Sequence, residues 1–282
     1  MFGISMPLLA VVFGILHGLA PVVFKSIVRK KYTAWAYTLI WASLSTLFFL
    51  PLFIRQWDVP ALGINRLYLL VVGGGWMLAN YCTTQAFKTT DASVVMLVAR
   101  LSLLLTFFGG LFWFDEAYTS DKVWGLILTM VGSLVVIWEG KKFNFSQGII
   151  FSLLSVFFVA IAELAGKKVL NFTTPFAFGF FSQAIQMLLA MGMKQAIPDA
   201  IQIMRRFAKQ AFFAMLSFSI AWAGLAVVLQ QTEVSRTFII YDVMILLTGV
   251  GLGIIWLKET GRLWQKMTGI LLCLGGIILL SG

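Results

Sequence analysis

The chain alternates long apolar stretches with short polar ones, and the apolar stretches are longer than a soluble core requires. Ten of them reach or approach the roughly 20 residues that a helix needs to cross a bilayer. They are Met6–Phe24, Thr33–Ile54, Leu67–Phe87, Ala92–Phe114, Val123–Trp138, Gly148–Gly166, Thr174–Met193, Gln210–Leu229, Val234–Leu257 and Leu263–Leu280. Strands of a membrane barrel would alternate polar and apolar positions over about ten residues, and these runs do not alternate. The pattern predicts an all-α integral membrane protein with ten transmembrane helices. Connections are short except Lys194–Lys209, whose amphipathic pattern predicts a segment lying on the membrane surface. Lys266, just inside the tenth run, is expected to snorkel toward the interface.

The run pattern repeats. Thr89-Thr90-Asp91-Ala92-Ser93 aligns with Gln231-Thr232-Glu233-Val234-Ser235, and the same offset pairs Lys25 with Lys167, Thr106 with Thr248 and Gly109 with Gly251. A small drift then pairs Glu116 with Glu259, Gly125 with Gly269 and Gly132 with Gly276. Chance apolar similarity explains Leu on Leu, but not this ordered series of acids, Ser, Thr and Gly. Residues 1–139 and 146–282 therefore read as two five-helix repeats. Five is odd, so the second repeat enters the membrane inverted relative to the first, an arrangement common in secondary transporters.

Composition agrees. Apolar residues make up 60% of the chain and charged residues 11%, against roughly a quarter charged in soluble domains, so hydrocarbon must be part of the solvent. The net charge of +10 is carried by short segments between apolar runs rather than by a basic, aromatic-lined surface, which argues against nucleic-acid binding. Cys82 and Cys273 fall inside apolar runs and read as small buried residues. Only a few residues precede the first run, with no basic stretch, so that run reads as a retained helix.

Tyr81–Ser93 (YCTTQAFKTTDAS), the helix that follows to Phe114, Asp115-Glu116 and Trp124-Gly125-Leu126-Ile127-Leu128 resemble the drug/metabolite transporter superfamily of the EamA type. Leu229–Ser235, Lys258-Glu259 and Thr268–Leu280 resemble the same motifs in the second half. The resemblance implies two inverted EamA-like repeats around a cavity lined by spans 1, 3, 4, 6, 8 and 9. Two departures stand out. The Glu-Pro pair of the fourth and ninth spans is replaced by Ser102-Leu103 and Ile245-Leu246, and the Gly of the Gly-Glu turn is Asp115 in one half and Lys258 in the other.

Arg100 and Asp242 are the sharpest candidates for chemistry. Each is the ninth residue of its run, at equivalent repeat positions, so each lies roughly 12 Å from its helix start. In inverted halves the two charges would straddle the midplane about 6 Å apart in depth. A charge there is costly and marks a functional site by default: Arg100 attracts an anionic group, with Asp242 as its resting partner or a proton acceptor, or the two form a static ion pair. His17 precedes Pro21 by four residues, so its carbonyl lacks an N–H partner; the ring reads as a relay, a donor to substrate or a packing group. Glu163 reads as an i,i+4 partner of Lys167 or as a coupling carboxylate. Asn80, Tyr81, Gln85, Gln183, Gln186 and Tyr241 are cavity-lining candidates or interhelical hydrogen-bonding groups. Trp76 and Trp222 wall a cavity or pack. Asp115, Glu116 and Asp121 occupy a turn and read as solvated. No catalytic triad, phosphate loop, metal-ligand spacing or cofactor motif appears, so no enzyme activity, cofactor or metal is expected.

The sequence therefore points to a multi-pass carrier in a cell membrane, as for a bacterial inner membrane, acting as monomer or homodimer. It would move a small polar or zwitterionic metabolite outward by alternating access with proton coupling or exchange. The rivals are a lipophilic-cation efflux protein, a lipid-modifying membrane enzyme and a structural membrane subunit. More than twice as many Lys and Arg residues lie on the side of the first interhelical loop as on the other, which places both termini outside the cytoplasm; the resemblance implies both inside. Arg100→Gln is expected to abolish transport while leaving membrane insertion intact, measured by uptake and by fractionation; loss of insertion would mark a purely structural pair.

Overall fold

The computed structural model describes residues 6–57, 65–99, 101–116, 119–139, 142–143, 146–258 and 261–281. Among them the chain is almost wholly helical. The first half holds α1 (Met6–Ile27), α2 (Ala34–Gln56), α3 (Asn65–Phe87), α4 (Ala92–Ala99), α5 (Ser102–Phe114) and α6 (Ser120–Ile137). The second holds α7 (Gln147–Leu170), α8 (Pro175–Met191), α9 (Ala196–Gln231), α10 (Val234–Ile255) and α11 (Leu263–Ser281). A two-residue antiparallel ladder, Trp138 to Phe143 and Glu139 to Lys142, sits at the join. Residues 8–27 of α1 and the whole of α2, α7 and α9 are long and apolar enough to cross a membrane.

Two sequence expectations are corrected. The run Ala92–Phe114 is two helices, α4 and α5, with Leu101 in a turn between the described parts. The segment Lys194–Lys209 is not separate from the next run; most of it forms the start of α9, which is bent at Phe207 (φ −131°, ψ 24°). The helix starts follow local chemistry. Thr33 and Thr174 take extended backbone and accept from the amides of Ala36 and Ala177, so the second helix of each half has the same Thr cap. Asp115 and Lys258, where the family turn has Gly, both have positive φ (51° and 57°), the conformation Gly adopts without steric cost.

Contacts between the halves are reciprocal, as a pseudo-two-fold axis requires. A methyl group on Gly132 of α6 would lie 2.7 Å from the Gly269 carbonyl of α11, and one on Gly276 would lie 2.6 Å from the Gly125 carbonyl. Lys122 pairs with Glu233 at 3.0 Å, and Lys266 with Asp91 at 3.5 Å, so each half offers a lysine to the acid of the other. Lys266 is 1% exposed, and its ammonium is directed to the exposed carboxylate of Asp91, just before α4. Within each half, Lys25 Nζ donates to the carbonyls of Phe87 and Thr90, and Lys167 Nζ to those of Leu229 and Thr232. Cys82 and Cys273 are buried thiols outside any disulfide, and Cys273 Sγ donates to the Thr129 carbonyl.

Gly276→Ala is expected to lower stability by about 1–3 kcal/mol through overpacking of α6 against α11. Thermal unfolding in detergent reads this, with Gly251→Ala, where nothing lies within 4 Å of the added carbon, as the unaffected control.

Candidate functional site

The close approach of α1 to α10 depends on two glycines one turn apart. Methyl groups on Gly14 and Gly18 would lie 2.6 Å from the Tyr241 carbonyl and from Thr248 Cβ respectively, the small-xxx-small packing that lets membrane helices touch. His17, between them in sequence, is thereby brought to Tyr241: Nδ1 and the phenol share a hydrogen bond of 2.7 Å. The His17 ring also meets the Phe218 ring edge-on at 5.0 Å. In the turn that Pro21 opens, Ser217 of α9 donates to the carbonyl of Leu16.

His17 and Tyr241 border a cavity of about 120 Å³ enclosed by α1, α2, α3, α4, α5, α7, α9 and α10. Its acids are Glu163 and Asp242, each 4% exposed. Glu163 accepts from Thr106 Oγ1 at 3.0 Å, and the expected Glu163–Lys167 pair is not made, because Lys167 is directed to the carbonyls at the end of α9 and the turn beyond. Its aromatic wall comprises Phe24, Trp41, Trp76, Phe87, Phe218 and Trp222. Trp76 and Trp222 meet edge-on at 5.3 Å, and Phe218 stacks on Trp222 at 6.1 Å. Both indole N–H groups are buried without an acceptor.

Thr83 and Ser155, which also line the cavity, bond each other at 2.7 Å, and Asn80 lines the same space. Ala99 and Ser102 border the cavity on either side of Arg100, which lies outside the described residues. The structure thus gathers His17, Trp76, Asn80, Glu163, Trp222, Tyr241 and Asp242 around one space. Gln85 lies outside it, donating to the Tyr81 phenol at 3.0 Å, whose ring stacks on Trp35 at 3.9 Å. Gln183 and Gln186 are fully buried in α8 but also stand apart from the lining. Sequence reasoning missed Thr106, Trp41 and Phe218. The Gly14/Gly18 spacing was a legible signal for the α1–α10 contact; nothing in the pattern distinguished Trp41 or Phe218 from other aromatics.

The arrangement can bind. A buried carboxylate, orphan N–H donors and aromatic faces suit a cation or a hydrogen-bonding group held in a desolvated space. The volume is below the roughly 300 Å³ at which drug-sized sites begin, so the cavity as it stands fits a small solute.

Residues 4–138 and 146–282 each match the profile of the EamA-like transporter family. A solved structure described only as the crystal structure of a protein aligns with a TM-score of 0.64 and 12% identity, over 96% of this chain and 98% of the other, which shows a shared fold. No curated protein matches.

Tyr241→Phe and His17→Phe are expected to be non-additive. A double-mutant cycle on unfolding free energy should return a coupling of about 0.5–1.5 kcal/mol; additivity would mean the 2.7 Å contact contributes nothing.

Proposed function

The chain belongs to the EamA-like transporter family, and from that premise we propose a secondary-active carrier with ten membrane crossings in two inverted five-helix repeats. Its cargo is a small zwitterionic or polar metabolite, exported across the cell membrane, as in a bacterial inner membrane, by alternating access with proton coupling or exchange. The observation that carries this reading is the cavity lined by buried Glu163 and Asp242 together with Trp76 and Trp222, whose indole N–H groups have no acceptor among the described residues. An unpaired buried N–H costs free energy; an acceptor group on the cargo supplies what the indoles lack, its ammonium would approach the buried carboxylates, and Arg100, between Ala99 and Ser102 in sequence, would take its anionic end.

The crossed ion pairs supply the gating. In inverted repeats Asp91–Lys266 and Lys122–Glu233 stand near opposite membrane faces. Breaking one pair while the other holds would give the cavity access to one face at a time. A second reading, a lipophilic-cation carrier, is favoured by the aromatic wall and the two acids. The two readings part at Arg100: a cation carrier keeps transport in Arg100→Gln, and a zwitterion carrier loses it.

The test is purified protein in liposomes, screened by counterflow with labelled amino acids, organic acids and nucleotide sugars. Counterflow of a zwitterion that is lost in Glu163→Gln supports the reading; movement of permeant organic cations alone overturns it. Asp91→Lys is expected to cut transport about tenfold, and adding Lys266→Asp to recover most of it, a coupling of about 1.4 kcal/mol.

A further inference from the structure

The loop after α1 and the bend of α9 form a second built region, distinct from the central cavity. Arg29, Lys30, Lys31 and Arg206, with Tyr32 and Phe207, enclose a surface pocket of about 390 Å³. The lining brings four cations and no acid. All four side chains are exposed, and none makes an ion pair with an acid among the described residues. The Arg29 and Arg206 guanidinium carbons lie 5.3 Å and 5.7 Å from the centroid of the same Phe207 ring, so one aromatic side chain holds both cations. Like charges so gathered repel, and a counter-anion relieves the repulsion.

The cations are presented by a pinned backbone. The Tyr37 phenol accepts from the Arg29 amide at 2.8 Å and donates to the Ile27 carbonyl at 3.0 Å. Lys88 Nζ donates to the Tyr32 carbonyl at 2.8 Å. Asp199, the acid of the first turn of α9, accepts from the Thr33 amide at 2.7 Å and so ties α9 to the start of α2.

On the other side of the same α9 segment runs an apolar groove of about 650 Å³ between α2, α8 and α9, floored by Leu39, Ile40, Leu44, Met187 and Ile201, with Arg205 at its edge. Ile197 and Ile201 stand 43% and 49% exposed. The segment Ala196–Phe207 thus carries an apolar face and adjoining arginines, the composition of a helix seated at the membrane interface.

We propose that this region binds an anionic phospholipid. The Arg29, Lys30, Lys31 and Arg206 cluster holds the phosphate, and the groove beside Arg205 holds an acyl chain. A soluble phosphate would leave the groove empty, and a neutral lipid would leave the cations uncompensated; the two features together select a lipid bearing net negative charge. The inference requires only that the chain sits in a bilayer, and it stands or falls independently of the cargo.

The experiment uses the full-length protein, delipidated in detergent, with thermal unfolding and native mass spectrometry as readouts. Dioleoyl-phosphatidylglycerol is expected to raise the unfolding temperature and to remain bound, whereas dioleoyl-phosphatidylcholine and inorganic phosphate are not. Lys30→Gln with Lys31→Gln, both exposed and safe for folding, should weaken phosphatidylglycerol affinity roughly tenfold to thirtyfold. Ala200→Phe, which fills the groove, should weaken it while leaving the cations in place. Equal stabilisation by phosphatidylcholine, equal stabilisation by inorganic phosphate, or undiminished phosphatidylglycerol binding in the lysine double variant would each overturn the proposal.

Discussion

Hydrocarbon offers no partner to a backbone carbonyl, so every place where a helix stops within the protein must answer for its own last oxygens. In each half of this chain the third long helix ends in a tight turn before the next begins, and a lysine from the first helix of that half reaches the exposed carbonyls: Lys25 at Phe87 and Thr90, Lys167 at Leu229 and Thr232. An ammonium with three donors suits a cluster of acceptors that no N–H can reach. The device fixes where α1 meets the end of α3 and where α7 meets the end of α9. The placement of α4 and α10, which follow those turns and line the cavity, depends on it.

From that frame the cavity acquires its character. Glycines at positions 14 and 18 bring α1 against α10 and set His17 on Tyr241. Thr106 of α5 holds Glu163 of α7. The space is thus lined by hydrogen-bonded polar groups interleaved with aromatic rings, and two indole N–H groups among them have no acceptor among the described residues. A rigid apolar wall with a few fixed polar groups is how small-molecule sites combine affinity with orientation.

Much of this was legible in the chain. Apolar run length gave the helices to within a few residues, and the doubled motif gave the halves, because both depend on local pattern. Lys25 and Lys167 were visible as a repeated pair, though their purpose was not, since the acceptors lie 62 residues and more away. Lys266 was read as an interfacial residue because a lone lysine near a helix start usually reaches water; its partner Asp91 is 175 positions distant. Glu163 misled for the opposite reason. A lysine one turn along is the obvious local partner, and tertiary packing gave both groups better ones. The split of the fourth run was hidden because its composition stays predominantly apolar, and the continuity of α9 because the change from amphipathic to apolar residues near Lys209 looked like a boundary between elements.

The crossed ion pairs have a consequence beyond gating. Each links a lysine of one half to an acid of the other at matching positions, Lys122 to Glu233 and Lys266 to Asp91. A half-length chain with one such lysine and one such acid, meeting an antiparallel copy of itself, would form both bridges from a single pair of codons. Fusing the halves frees the two bridges to differ.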